Sequence, residues 1–344
     1  MRLIIVAILF VTGCRPPQRA GIAPDAVKPV VVTEQTAFDT DDPAIWINRA
    51  DPSQSLIIGT DKETGGGLYA YNLQGKVVNK VVGLQRPNNV DVAYGFRLGA
   101  EVLDLAICTE RGSNSLRFYT LPQLIEVDGG GLPVFEGEAD RQPMGVAVYT
   151  HPADHSIYLI VGRKSGPADG YLWQYRLADE NGKPVMQLVR KFGKYSGKKE
   201  IESIAVDNEL GYVYYSDEQF GIRKYFADPA KGNEELAVFG QGQFREDNEG
   251  ISVYKTTAGQ GYILVSDQSA NTFNVYRREG ESSNPHQHDR IAIVPVSTRQ
   301  SDGSDVTNVP LPGFPRGMFV AMSDDRTFQL YNWDDIGARI KAGK

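Results

Sequence analysis

One motif returns six times along this chain: a short apolar, strand-forming run ends in a polar pair, and a second run carrying a tyrosine follows it. The second runs read Leu-Tyr-Ala-Tyr71, Leu-Arg-Phe-Tyr119, Leu-Trp-Gln-Tyr175, Ile-Arg-Lys-Tyr225, Phe-Asn-Val-Tyr276 and Phe-Gln-Leu-Tyr331. Successive tyrosines lie 48, 56, 50, 51 and 55 residues apart. The apolar runs before them are Leu56–Thr60, Leu103–Thr109, Tyr158–Gly162, Tyr212–Ser216, Tyr262–Ser266 and Met318–Met322. A period near fifty residues built from short strands predicts a β-propeller, with one four-stranded blade per copy. The expected fold class is therefore all-β, a six-bladed β-propeller. The 344 residues could form two domains by length alone, but one ring accounts for the chain from about Asp39 to about Asp335.

Antiparallel neighbours reverse direction, so in each unit the start of the preceding strand meets the polar end of the apolar run. The starts are Asp41-Asp42-Pro43, Asn88-Asn89-Val90-Asp91, Gln142-Pro143-Met144, Glu200-Ile201-Glu202, Asp247-Asn248-Glu249 and Asp302-Gly303-Ser304-Asp305. The ends are Asp61-Lys62, Glu110-Arg111, Arg163-Lys164, Asp217-Glu218, Asp267-Gln268 and Ser323-Asp324. Carboxylates and cations from distant segments are thus expected to converge on one rim. A polar strand end is ordinary at a solvated turn; acids at five of the six starts exceed that expectation.

Net charge is −7, from 36 basic and 43 acidic residues, and no long basic run exists, which argues against nucleic-acid binding. An acidic rim repels anions unless it recruits cations, and metal ions are the obvious recruits. At the N-terminus, Arg2 precedes the nine apolar or small residues Leu3–Val11, too few to span a bilayer, and Val11-Thr12-Gly13-Cys14 resembles a bacterial lipobox. Residues 1–13 are read as a lipoprotein signal peptide and Cys14 as the lipidated start of the mature chain. Residues 14–29 are read as a tether and residues 30–344 as a single propeller domain. Arg15 stands where an aspartate would favour inner-membrane retention, so an exported, outer-membrane-anchored envelope protein is expected, held by its lipid alone. Cys108, the other cysteine, is expected to be a small buried hydrophobe without a disulfide partner.

Val30–Gln35 is β-rich and is predicted to supply the missing strand of the last blade, closing the ring and removing an open edge. Arg278–Asp289 reads as a polar, flexible excursion, and Ile336–Lys344 as a short amphipathic tail. Trp46 and Trp173 are expected in packing roles, Asp207 and Glu209 in a structural turn, and the four histidines in surface loops without a role.

Several of these strings, in order, resemble the β-propeller phytases: Asp41-Asp42-Pro43-Ala44-Ile45-Trp46, Ile58-Gly59-Thr60-Asp61-Lys62, Asn88-Asn89-Val90-Asp91 and Glu110-Arg111. Glu202 ahead of Asp207-Asn208-Glu209-Leu210-Gly211, Asp217-Glu218, Asp247-Asn248-Glu249-Gly250, Gly261-Tyr262-Ile263-Leu264 and Asp302-Gly303 continue the series, from about Glu34 to Trp333. The resemblance implies a calcium-dependent 3-phytase, a phosphoric monoester hydrolase that acts on phytate (myo-inositol hexakisphosphate) or calcium phytate. It implies several calcium ions, with Asp41, Asp42, the Pro43 carbonyl, Asp91, the Val92 carbonyl, Glu202, Glu218, Asp247, Glu249, Gln268 and Asp302 as ligands. Lys62, Arg111 and Arg163 match the family's phosphate-binding cations. Independently, oxygen donors without Cys or His clusters select calcium or magnesium, and many carboxylates favour calcium.

Bound divalent cations would turn an acidic rim into a polyphosphate site. No Ser, Cys or His has the setting of a nucleophile, which agrees with direct attack by a water activated on the metal. Lys62 and Arg111 would neutralise charge on the reacting phosphate, Arg163 would hold a neighbouring one, and Glu218 would ligate metal or handle the attacking water. The chain departs from the family pattern at Glu63, at Met144 and in the shorter blade-six loop, so fewer calcium sites are expected than in the fullest members. Two other functions suit such a ring: a calcium-dependent lactonase or phosphotriesterase, and a non-catalytic envelope propeller that binds protein or glycan. A monomer is expected.

Overall fold

A computed structural model describes residues 20–343; Cys14 and the proposed signal segment lie outside the described residues. Six antiparallel four-stranded sheets form the molecule. Blade one comprises Thr40–Trp46, Leu56–Asp61, Gly67–Tyr71 and Val77–Val82. The first strands of blades two to five are Pro87–Leu98, Pro143–Thr150, Ile204–Asp207 and Asn248–Thr257. Blade six joins Ser304–Thr307, Met318–Ser323 and Thr327–Asn332 to Val31–Val32, whose residues face Leu330 and Gln329. The ring is thus closed by the early strand that the sequence offered for it. First strands of successive blades pack on one another around the ring. They line a central channel of about 320 Å³.

The repeated tyrosine has a structural cause. Each ring is buried between blades, and in four blades its hydroxyl ties back to the loop leaving the preceding blade. Tyr175 Oη accepts the Phe135 N–H at 2.8 Å, Tyr225 Oη the Lys194 N–H at 3.2 Å and Tyr331 Oη the Thr298 N–H at 3.0 Å. Tyr276 Oη donates to Gln243 Oε1 at 3.1 Å. An aromatic body with one polar tip fills an apolar gap while fastening a polar loop.

A β-bulge recurs at the head of the first strands. Thr40 faces Asp61 and Pro43 faces Gly59, so Asp41 and Asp42 share one opposing residue. Asn88-Asn89, Met144-Gly145 and Glu249-Gly250 are bulged in the same way. In blade four Ser203 O accepts the Ser216 N–H, and in blade six Gly303 O accepts the Met322 N–H, both at 3.0 Å, which puts Glu202-Ser203 and Asp302-Gly303 in the same place. Such bulges break the two-residue alternation and re-aim a side chain. Glycine follows where blades approach closely: a Cβ on Gly145 would lie 2.0 Å from the Glu202 carbonyl oxygen.

Three peripheral segments are more firmly docked than their sequence suggests. Residues from Ala20 onward, expected as tether, lie on blade five, where Val27 is buried and its N–H reaches Pro295 O at 2.9 Å. The 278–289 excursion is pinned at both ends. Arg278 forms a buried bidentate pair with Asp207, both bonds 2.6 Å, and Lys224 Nζ donates to Pro285 O at 2.7 Å. His288, expected on the surface, is buried against Tyr214 and Phe239, and burial pushes its pKa down to about 4. The tail is a helix, Trp333–Ala342, that buries Trp333, Ile336 and Ile340, with Trp333 stacked on Tyr254. Trp46, Trp173 and Cys108 are buried as expected. Among the described residues no helix is long and apolar enough to cross a membrane.

Candidate active site at the rim

The polar pair that ends each second strand divides its labour, because consecutive side chains of a strand point to opposite sides. The first member turns inward and serves the fold. Asp61 accepts the N–H groups of Ala37, Phe38 and Asp39; Asp217 accepts that of Ser196 and Asp267 that of Arg245. Glu110 accepts the Gln85 N–H and pairs with Arg117. The second members are Lys62, Arg111, Lys164, Glu218, Gln268 and Asp324. Their N–H groups make equivalent bonds to the carbonyls of Asp39, Arg86, Gln142, Glu200, Asp247 and Arg299. Arg163, expected as a phosphate-binding cation, belongs to the inward set. It is 1% exposed, stacks on Phe135 and Tyr171, and reaches Glu138 and the Asp140 carbonyl. The rim position of blade three is held by Lys164, half-exposed, with its Nζ 2.6 Å from Glu200.

The bulges deliver the other half of the site. Asn88 donates through Nδ2 to Asp41 at 2.8 Å and to Glu202, and its Oδ1 accepts from Arg111 Nη1 at 3.3 Å. Lys62 Nζ lies 2.9 Å from Asp41 and 2.6 Å from Asp302, and Asp302 also accepts from Gln268. Burial alone would discharge Lys62; Asp41, Asp302 and Glu202 outweigh it and hold its pKa above the ordinary value. Arg111 Nε is buried without an acceptor, as are Nε and Nη2 of Arg163.

Next to this group are two carboxylate clusters sharing one residue: Glu200, Glu202 and Glu218, and Glu218, Asp247 and Glu249. In each, one oxygen per residue lies within 4.8 Å of the others. Lys199 enters the second cluster, 2.7 Å from Glu218, 2.8 Å from Asp247 and 3.5 Å from Glu249. Even so, Glu218 Oε1 and Glu249 Oε2 are buried with no hydrogen-bond donor. Burial pushes Glu218 up to about 8 against the pull of Lys199. Burial, then Asp41, raises Glu202 well above the usual carboxylate range, as burial and Glu218 do for Glu249.

A third group lies in the channel below. Asp42 accepts the Val90 N–H at 3.1 Å. Asp91 accepts those of Val92 and Val148, and Asp305 those of Val306 and Ile45, all at 2.7 Å, so both carboxylates stitch neighbouring inner strands. Pro43, Val92 and these aspartates line one cavity. Burial raises Asp42 well above its ordinary pKa, Asp91 to about 6 and Asp305 to about 7.

A model of the family described as Phytase matches residues 5–338. The chain belongs to the phytase family. The 3-phytase of Bacillus subtilis (strain 168) is 27% identical over 321 residues, covering 87% of this chain and 81% of that protein, so the relationship is distant. The RRP9 WD40 repeats, a solved structure 10% identical, cover 83% of this chain and 78% of theirs with a TM-score of 0.48, a likeness on which nothing rests.

This phytase-family hydrolase brings together on one face Lys62, Arg111, Asp41, Glu202, Glu218, Asp247, Glu249, Gln268 and Asp302. Asp42, Pro43, Asp91 and Val92 lie in the adjoining channel. The donors are oxygen atoms, several of them buried and unsatisfied, and they fit a hard divalent cation. Four contributors had escaped a role from sequence: Asn88, which links Arg111 to two acids; Lys164; Lys199; and Asp305. Asp305 was detectable, because it repeats the Asp91 position within its blade. Lys199 was not, because only folding sets it against three acids from two blades.

Proposed function

We propose that this protein hydrolyses phytate to lower inositol phosphates and phosphate in a calcium-dependent reaction, using water directly as the nucleophile. The carrying observation is the juxtaposition of two carboxylate clusters, sharing Glu218 and holding donorless buried oxygens, with the rim cations Lys62, Arg111 and Lys164. The similarity to a Bacillus 3-phytase supports the substrate class. Glu202, Glu218, Asp247, Glu249 and Asp302, with the Gln268 amide, would hold cations at the rim; Asp42, Asp91, Asp305 and the Pro43 and Val92 carbonyls would hold one in the channel. When bound, calcium supplies positive charge that draws phosphate to an acidic surface, polarises it and acidifies water.

The chain's own groups do the rest. Arg111, aimed by Asn88, presents its fork to two oxygens of the reacting phosphoryl group. Lys62 meets the same group from the neighbouring blade one. Lys164 holds a neighbouring phosphate of the polyanion. Glu218 orients the attacking water through the oxygen that has no other donor. In the test, phosphate release from phytate is measured with calcium and with a chelator, beside a panel of lactones. Calcium-dependent release is expected; turnover of a lactone but not of phytate would move the reading to the lactonase class.

We also infer an envelope lipoprotein, from the apolar stretch and the Val11-Thr12-Gly13-Cys14 motif. Cys14→Ala is expected to leave the protein unprocessed or to release it from the membrane fraction. Mass spectrometry finding an intact N-terminus with unmodified Cys14 in the natural protein would exclude this.

A further inference from the structure

We propose that Lys199 is a tethered counter-ion of the blade four–five carboxylates, displaced when a divalent cation loads there, and that the displaced ammonium turns to a substrate phosphate in the adjoining pocket. The proposal rests on the reading of the rim as a cation-dependent phytate site.

The ammonium is in contact with Glu218, Asp247 and Glu249, at 2.7, 2.8 and 3.5 Å. It therefore stands where a cation bridging those groups would have to be, and two cations cannot share that space. Nor does it satisfy the cluster. One positive charge faces three carboxylates, and Glu218 Oε1 and Glu249 Oε2, both on buried residues, have no donor. A divalent ion meets that deficit and a lysine does not.

The side chain also has somewhere to go. Its backbone is fixed, because Tyr195 Oη donates to the Lys199 carbonyl. The side chain itself is 35% exposed. Lys199 also lines an open pocket of about 620 Å³ with Arg141, Gln142, Lys164 and Tyr195. Asp140 and Glu200 also line that pocket, and Lys164 is paired with Glu200; rotation of Lys199 about its flexible stem would add a third cation beside Arg141 and Lys164 and tip the balance towards a phosphate group. Loading the metal and completing the phosphate pocket then become one event, so calcium and phosphate bind with positive coupling.

The test uses the full chain. Calorimetric calcium titration of Lys199→Met is expected to show binding at this cluster about tenfold tighter or more, since a contacting like charge is removed. Its calcium-free melting temperature should fall. Lys198→Met, which removes the adjacent ammonium that donates to the Gln219 carbonyl and lies over the Phe220 ring, should leave the calcium titration unchanged. Calcium affinity of Lys199→Met that is equal to or weaker than wild type overturns the proposal. In the unaltered protein, amine labelling read by mass spectrometry should modify Lys199 faster with calcium than with a chelator; an equal or slower rate overturns it even if the variant misfolds. At saturating calcium, inorganic phosphate should bind Lys199→Met more weakly, and undiminished phosphate affinity overturns the second half. A wild-type protein that binds no calcium at all would instead remove the cation site itself, and the proposal with it.

Discussion

Arg111→Ala is expected to lower phytate turnover about 10²–10³-fold, the usual loss when a preorganised charged donor is removed from a developing anion. Calcium affinity should barely change. Among the described residues Arg111 forms no ion pair with the cluster carboxylates; its Nη1 donates to the Asn88 amide oxygen, and its Nε is buried without an acceptor. Asp42→Ala should behave in the opposite manner, weakening calcium binding in the channel, with activity partly recovered at high calcium. The comparison needs kcat and KM for phytate across a calcium series, with folding checked by circular dichroism. Near-normal turnover by folded Arg111→Ala would show that the reacting phosphate sits elsewhere.

Removal of calcium is expected to make stability depend steeply on pH. Burial raises Asp42, Asp91, Asp305, Glu202, Glu218 and Glu249 above ordinary carboxylate values, to about 6 for Asp91, about 7 for Asp305 and about 8 for Glu218. In the unfolded chain the same groups titrate near their usual values. Between roughly pH 4 and 8 the folded, metal-free protein therefore holds more protons than the unfolded one, and its stability falls as pH rises. At ~1.4 kcal/mol per tenfold preference for the proton, Asp91 and Asp305 together should remove on the order of 7 kcal/mol across that window. Calcium should reverse the loss most strongly at the alkaline end, because the ligands must shed protons to bind it. Thermal melts from pH 5 to 8, with chelator and with calcium, measure both effects. A chelated protein whose melting temperature is flat or rises over that range would show that the carboxylates are not crowded and buried as described.

The fold was legible because the ring repeats. Every blade needs an aromatic residue to fill the gap to its neighbour, and in four blades its polar tip also fastens a loop, so Tyr71 to Tyr331 mark the period along the chain. The closing strand at Val31–Val32 was legible too, since an unclosed ring leaves a bare edge next to a β-rich segment. Asp41, Glu202, Glu249 and Asp302 could be assigned to one rim because antiparallel topology alone carries strand starts there.

Orientation could not be read in the same way. Arg163 and Lys164 are adjacent cations, and the family resemblance points to Arg163; the strand pleat sends it into the blade and Lys164 to the rim. The bulges at Asp41-Asp42 and Asn88-Asn89 break the alternation that would have forecast their directions. His288 looked like a loop group until distant segments closed over it and set it beside the buried Lys224.

The sequence by itself determined the number of blades, the face on which the acids gather and the oxygen-rich chemistry that selects a hard cation, because these follow from periodicity and residue type. Tertiary structure alone decided which carboxylates share a site, which cation stands at the rim and where Lys199 rests. Those depend on a few ångströms between chain segments tens to hundreds of residues apart, and bulge geometry, blade packing and burial fix that separation only in the closed ring.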